Sequence, residues 1–294
     1  MKKRTRLFVV LLLLLPWVVM AENNDIKLII RADDIGSAHA ANIACIKSFN
    51  EGIVRSTEIM VPCAWFEEAV LMLNDTPGLD VGVHLTITSE WSYIKWRPVA
   101  CTPSLTGKEG YFFPFLWTNK NYPPGNALLE ADWKVADVEK EFRAQIELVK
   151  SKIPAVSHLS DHMGCANITP EVAAMTKRLA IEYNLDIDLE EYGVQYAGEY
   201  GTKKTETTGD KINNFIDMLN NLQPGIWLFV EHPALDVQEM DGYGHIGYDN
   251  VGKDRQAVTD IFTSPLVKEA VAKRGIKLVS YADMKNEIKV KPAK

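Results

Sequence analysis

Short apolar segments alternate with amphipathic helical segments along most of the chain after residue 25. The apolar, strand-like segments are residues 27–31, 56–61, 80–85, 155–159, 225–230 and 276–280. The segments with helical periodicity are residues 38–50, 66–74, 132–150, 169–184, 211–221 and 265–273. Because strands that alternate with helices form parallel sheets or barrels, the pattern predicts an α/β fold. No repeat or linker divides the chain, so we predict that residues 22–294 form a single domain.

The first 21 residues have the features of a secretion signal. Basic residues at positions 2–6 precede an apolar stretch from Leu7 to Val19, and Ala21 precedes a polar segment. The apolar stretch is shorter than the roughly 20 residues that span a bilayer, which favours a cleaved signal. We predict cleavage after Ala21, export to the periplasm or the medium, and no stable membrane insertion of the mature chain. A retained membrane anchor is the alternative.

The overall charge narrows the class of partner. The formal net charge is −7 and no dense run of Lys and Arg occurs, which argues against nucleic acid and favours a neutral or cationic small molecule. The chain contains no Gly-x-Ser-x-Gly elbow and no phosphate-binding Gly-Lys-Ser/Thr loop. Serine hydrolases and nucleotide hydrolases are therefore not the leading candidates. The sequence leaves the oligomeric state open.

Two adjacent carboxylates, Asp33 and Asp34, lie just after the first apolar segment. The chain begins to turn at the end of a strand, so both side chains can point into one cleft. Two carboxylates held close together repel each other unless a cation or a shared proton relieves them. The pair therefore predicts a metal site or an acid/base dyad. The alternative is capping of the next helix by Asp34 or Ser37, which requires only one such residue.

Two histidines occupy corresponding positions near the ends of other predicted strands. His84 follows apolar residues 81–83, and His162 follows the segment 155–159. Because the carboxyl ends of parallel strands meet at one edge of a sheet, we expect both imidazoles to approach the Asp pair. Two imidazoles and one carboxylate are a common catalytic ligand set for zinc or a similar divalent ion. Each His taken alone would more often be structural, and their joint placement favours a metal centre.

Further polar residues are candidates for supporting roles. His232 follows a fourth apolar segment and is free to act as a general acid near neutral pH, with hydrogen bonding to loops as the alternative. Asp161 could orient a ligand or help to bind the ion. His158 is expected to be structural, and His245, in a Gly-rich loop, is a candidate for lining the site.

Residues 88–124 interrupt the alternation and are rich in Trp, Tyr, Phe, Pro and Gly. Long irregular insertions commonly carry function or cover a site. The aromatic residues from Trp91 to Tyr122 are expected either to stack on the rings of a ligand or to form a hydrophobic cover on the fold.

Seven short motifs carry a family resemblance. In chain order they are Ala-Asp-Asp-Ile-Gly at 32–36, Gly-Ile-Val-Arg-Ser-Thr at 52–57, Val-Gly-Val-His-Leu-Thr at 81–86, the helix around Gln145, His-Leu-Ser-Asp-His at 158–162, Glu-His-Pro at 231–233 and Ile-Lys-Leu-Val-Ser-Tyr at 276–281. Together they resemble the YdjC-like carbohydrate deacetylases, a family that includes chitooligosaccharide deacetylases. The resemblance covers nearly all of the chain after the predicted signal. It implies an irregular (β/α) barrel related to polysaccharide deacetylases.

The resemblance also implies roles for individual residues. It implies that one divalent ion, zinc or magnesium, is held by Asp34, His84 and His162. Asp33 would be the base that takes a proton from metal-bound water, and His232 would be the acid that protonates the departing amine. Further candidates for supporting the ligands or touching the substrate are Asp161, Arg55 and His245. Arg55 lies in a matching motif to which the family gives no firm role.

The chain departs from the family pattern around the third predicted ligand. The family commonly has Asp-Ser-His-x-His, whereas this chain has Ser160, Asp161, His162, Met163 and Gly164. The ligand His is kept, the first acid has moved by one position, and a glycine replaces the second His. Acidic residues also stand at 185–188, where the family often places an arginine.

These observations predict an exported, metal-dependent hydrolase that removes an acetyl group, on nitrogen, from a sugar or short oligosaccharide. The rival hypothesis is a noncatalytic glycan-binding protein on the same barrel, which has lost catalytic activity because the segment around His162 is altered. A metal-dependent sugar isomerase or epimerase ranks last. Such sites commonly use several Glu and Asp ligands, and Glu residues at strand ends are scarce in this chain.

Overall fold

The computed structural model describes residues 25–198, 200 and 207–290, without the side chains of residues 286–290. The predicted secretion signal, residues 1–21, lies outside the described residues. Within the described ranges, no helix combines the length and the apolar character that crossing a membrane requires.

A sheet of seven parallel strands forms the centre of the described part of the chain. The strands are β1 (Ile26–Ile35), β2 (Ser56–Ile59), β3 (Asp80–Leu85), β4 (His158–Asp161), β5 (Val194–Tyr196), β6 (Gly225–Glu231) and β7 (Lys277–Leu278). Hydrogen bonds order them β4-β3-β2-β1-β6-β5, and β7 pairs with β1. The curled sheet stays open between β4 and β5 over the residues described. The prediction of an α/β fold built as an irregular barrel is confirmed.

Helices cover the sheet. The described α-helices are α1 (His39–Asn50), α2 (Phe66–Asn74), α3 (Val135–Lys152), α4 (Pro170–Glu182), α5 (Thr208–Asn221), α6 (Val251–Thr263), α7 (Pro265–Lys273) and α8 (Tyr281–Val290). The start of α4 shows why the local sequence specifies a helix there. Thr169 Oγ1 accepts the N–H of Val172 at 3.2 Å, and Pro170 occupies the first helical position, where its missing N–H breaks no hydrogen bond.

The side chains of β1 alternate between two apolar environments. Its positions in the main core, on the side covered by helices, are Ile26, Leu28 and Ile30. Ile29 instead packs with Leu228 and Val279 in a second cluster. Because neighbouring strand residues point to opposite faces, Arg31 and Asp33 are directed to the same face as Ile29. The polar end of β1 therefore continues the inner face of the curled sheet.

Three described elements, α6, β5 and α8, were not predicted because their local sequence signals are weak. Helix α6 contains Gly252 and several β-branched residues, which lower helix propensity, and it forms because its buried face packs on α1 and α5. Strand β5 is three residues long, too short to show a period. Helix α8 follows β7 almost directly.

Two predicted elements begin at other residues than expected. Strand β4 begins at His158 rather than at residue 155, and α5 begins at Thr208 rather than at residue 211 because Thr207 caps it.

The insertion at residues 88–124 is irregular apart from short turns and bridges. Four of its nine aromatic side chains are buried, namely Trp91, Trp96, Phe112 and Phe115, and three more are half-buried. Tyr93 and Trp117 have 83% and 53% of their surface exposed. The insertion therefore acts mainly as a hydrophobic cover that presents a few aromatic rings to solvent.

Candidate metal centre

Asp33 and Asp34 lie at the carboxyl end of β1, and both carboxylates face the same histidine. The register of β1 with β2 shifts between Ala32 and Ile35, and Asp34 has a φ of +73°, which is uncommon for a residue other than glycine. This irregularity breaks the alternation of the strand. As a result, Nε2 of His84 lies 3.9 Å from Oδ2 of Asp33 and 3.6 Å from Oδ1 of Asp34.

His84 and His162 bring two imidazoles to Asp34. His84 lies in β3, His162 directly follows β4, and these strands are neighbours in the sheet. Nδ1 of His162 lies 3.5 Å from Oδ1 of Asp34, and the centroids of the two imidazole rings are 5.4 Å apart. One ligand atom from each of the three side chains lies within 4.8 Å of the others, and all three residues are buried. We call Asp34, His84 and His162 the metal cluster.

The metal cluster suits a divalent cation. Oδ1 of Asp34 is buried and has no hydrogen-bond partner among the described residues. A buried carboxylate oxygen without a donor is costly, and a cation in the metal cluster would satisfy it. Two imidazole nitrogens and one carboxylate oxygen suit zinc better than magnesium, which prefers oxygen ligands.

Two arginines compensate the charges of the aspartates. Arg31 donates from Nε and Nη2 to the two oxygens of Asp33 at 2.7 and 2.8 Å, and its Nη1 donates to the hydroxyl of Tyr281 at 3.0 Å. Arg255, from α6, donates to Oδ2 of Asp34 at 2.8 Å. Burial alone would raise the pKa of Asp34, but Arg255 and neighbouring histidines hold it well below its usual range. Asp34 is therefore an anion with one oxygen bound by arginine and the other facing the imidazoles.

A chain of buried hydrogen bonds fixes the ring of His84. Nδ1 of His84 lies 2.8 Å from Oγ of Ser160, and Ser160 donates its hydroxyl proton to Glu58. Glu58 also lies 2.7 Å from Nε2 of His158, whose ring stacks on Tyr281 at a centroid distance of 3.7 Å. Because the Ser160 proton goes to Glu58, the serine oxygen accepts the Nδ1–H of His84. The lone pair of Nε2 then faces Asp34, as a metal ligand requires.

Glu90 holds the ring of His162. Its Oε2 lies 3.2 Å from Nε2 of His162, and Glu90 is only 6% exposed. Burial alone would lower the pKa of His162, but the carboxylates of Glu90 and Asp34 raise it to about 10. This shift reflects a strong negative potential at the ring, which also favours a metal cation. A proton on Nε2 leaves the Nδ1 lone pair directed towards Asp34.

Comparison with known proteins places the chain in a family. Residues 27–273 match the family model described as YdjC-like protein. The chain belongs to the YdjC-like family. It is 33% identical over 165 residues to Carbohydrate deacetylase 2 of Listeria innocua, covering 55% of this chain and 59% of that protein. It is 30% identical over 239 residues to Carbohydrate deacetylase of Thermus thermophilus, covering 72% of this chain and 79% of that protein.

A solved structure shares the fold of this YdjC-like protein. It is the crystal structure of an Enterococcus faecalis protein provisionally described as a cellobiose-phosphate cleavage protein. The two chains are 24% identical with a TM-score of 0.69, and the match covers 88% of this chain and 99% of the other. The likeness shows that the two proteins share a fold.

In this YdjC-like protein, β6 brings His232 to the edge of the sheet that carries the metal cluster. Ala32 of β1 pairs with Glu231 of β6, and His232 is the next residue. Its side chain is 38% exposed, and its Nδ1 lies 3.5 Å from Oε2 of Glu231. Burial lowers the pKa of His232, but the nearby carboxylates of Asp34 and Glu231 raise it above its ordinary value. The structure thus supplies a third imidazole at this edge of the sheet, and this one is partly accessible to solvent.

The structure does not bring the other three candidates to the metal cluster. Asp161 accepts the N–H of Ala166 at 2.9 Å and so stabilises the turn after β4. His245 stacks on Trp91 at a centroid distance of 5.8 Å and belongs to the aromatic cover. Arg55 precedes β2, at the amino end of the sheet, and donates to carbonyls of the turn before it. His158 has the structural position expected for it, fully buried between Glu58 and its stacking partner.

Four charged residues of the site were missed by sequence reasoning, namely Arg31, Glu58, Glu90 and Arg255. Glu58 had a usable signal, because a carboxylate in the middle of a buried strand is costly unless it is bonded. Arg255 lies in a helix with a weak local pattern, and Glu90 lies at the start of the irregular insertion. Neither residue has a neighbour in sequence that points to its partner.

Proposed function

We propose that the chain is a zinc-type hydrolase that removes an N-linked acetyl group from a sugar or short oligosaccharide. The observation that carries the proposal is the metal cluster. In it, a buried Asp34 oxygen that has no hydrogen-bond donor within the described part of the chain faces two imidazoles. The names of the curated relatives supply the reaction class and the carbohydrate substrate. Asp34, His84 and His162 would hold a divalent ion, which would supply Lewis-acid polarisation of the acetyl carbonyl.

Asp33 is the proposed base. Arg31 holds both of its oxygens, which fixes the carboxylate with Oδ2 3.9 Å from Nε2 of His84. A carboxylate has about four lone-pair positions, so each oxygen can still accept a proton or a hydrogen bond from water. His232 is the proposed acid, because its partly exposed imidazole can reach a bound substrate and protonate the departing amine.

The test of this function is acetate release from oligosaccharides of N-acetylglucosamine. We expect activity with zinc, its loss after chelation, and its return when zinc is added back. The variant His84→Ala should lose both zinc and activity, whereas His39→Ala, which removes an imidazole bonded to Glu68 outside the metal cluster, should keep both. Full activity after complete metal removal, or in His84→Ala, would contradict the proposal. Sugar binding without acetate release would support the noncatalytic glycan-binding hypothesis instead.

We also propose that the protein is exported. The support is the basic, then apolar, then small-residue pattern of residues 1–21. Expression of the full chain in a bacterial host, followed by cell fractionation and amino-terminal sequencing, should yield a mature chain that begins at Glu22. A variant without residues 2–21 should stay in the cytoplasm. Recovery of the uncleaved full chain in the cytoplasm would contradict export.

A further inference from the structure

Trp117 lies against the turn that follows the ligand His162. Its Cη2 atom is 3.6 Å from the position that a Cβ atom would take on Gly164. Adjacent Cα atoms are about 3.8 Å apart, so the Cα of Gly164 lies within about 7.6 Å of that of His162. The indole of Trp117 therefore lies against the turn that leaves the ligand His162, although it comes from the insertion at residues 88–124.

The backbone on which Trp117 stands is anchored. Leu128 donates its N–H to the carbonyl of Phe115 at 2.8 Å, and Leu129 donates to the carbonyl of Leu116 at 3.0 Å. Phe115 and Leu116 are also buried. The Trp117 side chain nevertheless remains 53% exposed. The chain thus holds a half-exposed indole in a defined place, and a rigid aromatic surface binds a ligand with little loss of conformational entropy.

Gly164 allows the indole to take this place. Met163 and Gly164 have φ values of +56° and +79°, so the turn after His162 uses two successive left-handed residues. Such a conformation is easy for glycine and strained for other residues. A longer side chain at position 164 would meet the indole, whose edge rests there at van der Waals distance. Gly164 is thus matched to Trp117 in this chain.

We propose that Trp117 forms a sugar-binding subsite beside the metal cluster, in which a pyranose ring of the substrate stacks on the exposed indole. The proposal rests on the proposed carbohydrate deacetylase function. One face of a pyranose ring presents mostly C–H groups, which pack on an aromatic face without any charged partner. The chain's net negative charge is compatible with such a neutral ligand. Trp91 and Trp96 cannot serve in this way because they are 4% exposed.

Steady-state kinetics of the zinc-loaded protein test the subsite. Trp117→Ala should raise KM for an N-acetylglucosamine oligosaccharide about tenfold and leave kcat nearly unchanged, because stacking stabilises the ground state and the transition state alike. Trp117→Phe keeps an aromatic face and should recover most of the affinity. Tyr93→Ala removes another exposed ring of the insertion and should leave KM unchanged. An unchanged KM in Trp117→Ala would overturn the subsite.

A second measurement does not depend on turnover. The disaccharide of N-acetylglucosamine is titrated into the full chain after chelation, and tryptophan fluorescence is followed. We expect a saturable change in the wild type that Trp117→Phe abolishes. If this occurs without any acetate release from the zinc-loaded protein, the subsite stands and the deacetylase function fails. If acetate is released, KM is unchanged in Trp117→Ala and the fluorescence change persists in Trp117→Phe, the deacetylase function stands and the subsite fails. A changed oligomeric state of Trp117→Ala with unchanged KM would show a subunit contact instead.

Discussion

Nε2 of His162 lies 3.2 Å from a carboxylate oxygen of Glu90, and Nδ1 of the same ring faces Asp34. Glu90 belongs to the insertion, and the next residue, Trp91, lies under the guanidinium of Arg255 at 5.4 Å from the ring centroid. Arg255 in turn binds Asp34. Two consecutive residues of the insertion thus contact one ligand and the arginine that holds another. The insertion supports the metal cluster in addition to covering the sheet.

Replacing Glu90 by Gln should weaken zinc binding. The change keeps the shape of the side chain but removes the charge that orients His162 and raises its basicity, so zinc affinity should fall about 10- to 100-fold. Competition with a chromophoric chelator measures the effect. Glu141→Gln is the control, because this buried carboxylate bonds the N–H groups of Val99 and Ala100 instead. It should change stability but not zinc affinity, and equal affinity in Glu90→Gln and the wild type would contradict the prediction.

Replacing His232 by Ala should slow acetate release without removing the metal. Loss of a general acid typically costs about 100- to 10,000-fold in rate, so we expect kcat to fall by that order. Zinc content, measured by elemental analysis, should stay at the wild-type level because His232 is not a member of the metal cluster. His245→Ala, which removes only a ring stacked on Trp91, should have a much smaller effect on kcat. A kcat for His232→Ala close to the wild-type value would exclude it as the acid.

Replacing Arg255 by Met should destabilise the metal-free protein more than the zinc-bound protein. Without Arg255 the buried Asp34 carboxylate loses its partner, and breaking a buried ion pair costs about 3 kcal/mol. Zinc would compensate part of the Asp34 charge. Urea unfolding should therefore show a smaller decrease in the free energy of unfolding when zinc is present. Arg143→Met, in a surface ion network with Glu139 and Glu182, should cost about 1 kcal/mol or less in both states. An equal loss with and without zinc in Arg255→Met would contradict this account.

The buried pair of Glu58 and His158 should make stability depend on pH. Burial raises the pKa of Glu58, but His158 and Arg31 lower it to about 2. The stabilisation that Glu58 gives to the folded state is therefore complete above pH 4.5, its ordinary pKa, and is lost as the pH falls towards 2. Burial lowers the pKa of His158, but Glu58 raises it above its ordinary value of 6.5. The stabilisation that His158 gives to the folded state is therefore complete below pH 6.5 and is lost as the pH rises further. Glu58→Gln should therefore cost most, about 3 kcal/mol, between these limits. Urea unfolding of both proteins across the pH range measures the difference, and a difference independent of pH would count against the pair.

Local patterns were enough to predict the elements that carry their own signals. The apolar run of β1 and the Thr169-Pro170 start of α4 are examples, because burial, capping and the geometry of proline act over a few residues. The meeting of Asp34, His84 and His162 was also predictable. Strands of a parallel sheet present their carboxyl ends at one edge, so knowing the fold class was sufficient to bring these residues together.

The amino-acid sequence by itself determined the α/β class, the order of the motifs and which side chains stand at the ends of the strands. Only the tertiary structure decided which charges support them. Arg255 binds Asp34 from 221 residues away, and Ser160 bonds Glu58 from 102 residues away. A local pattern reports neighbours within a few residues, whereas a buried ion pair forms only after distant segments pack together and exclude water.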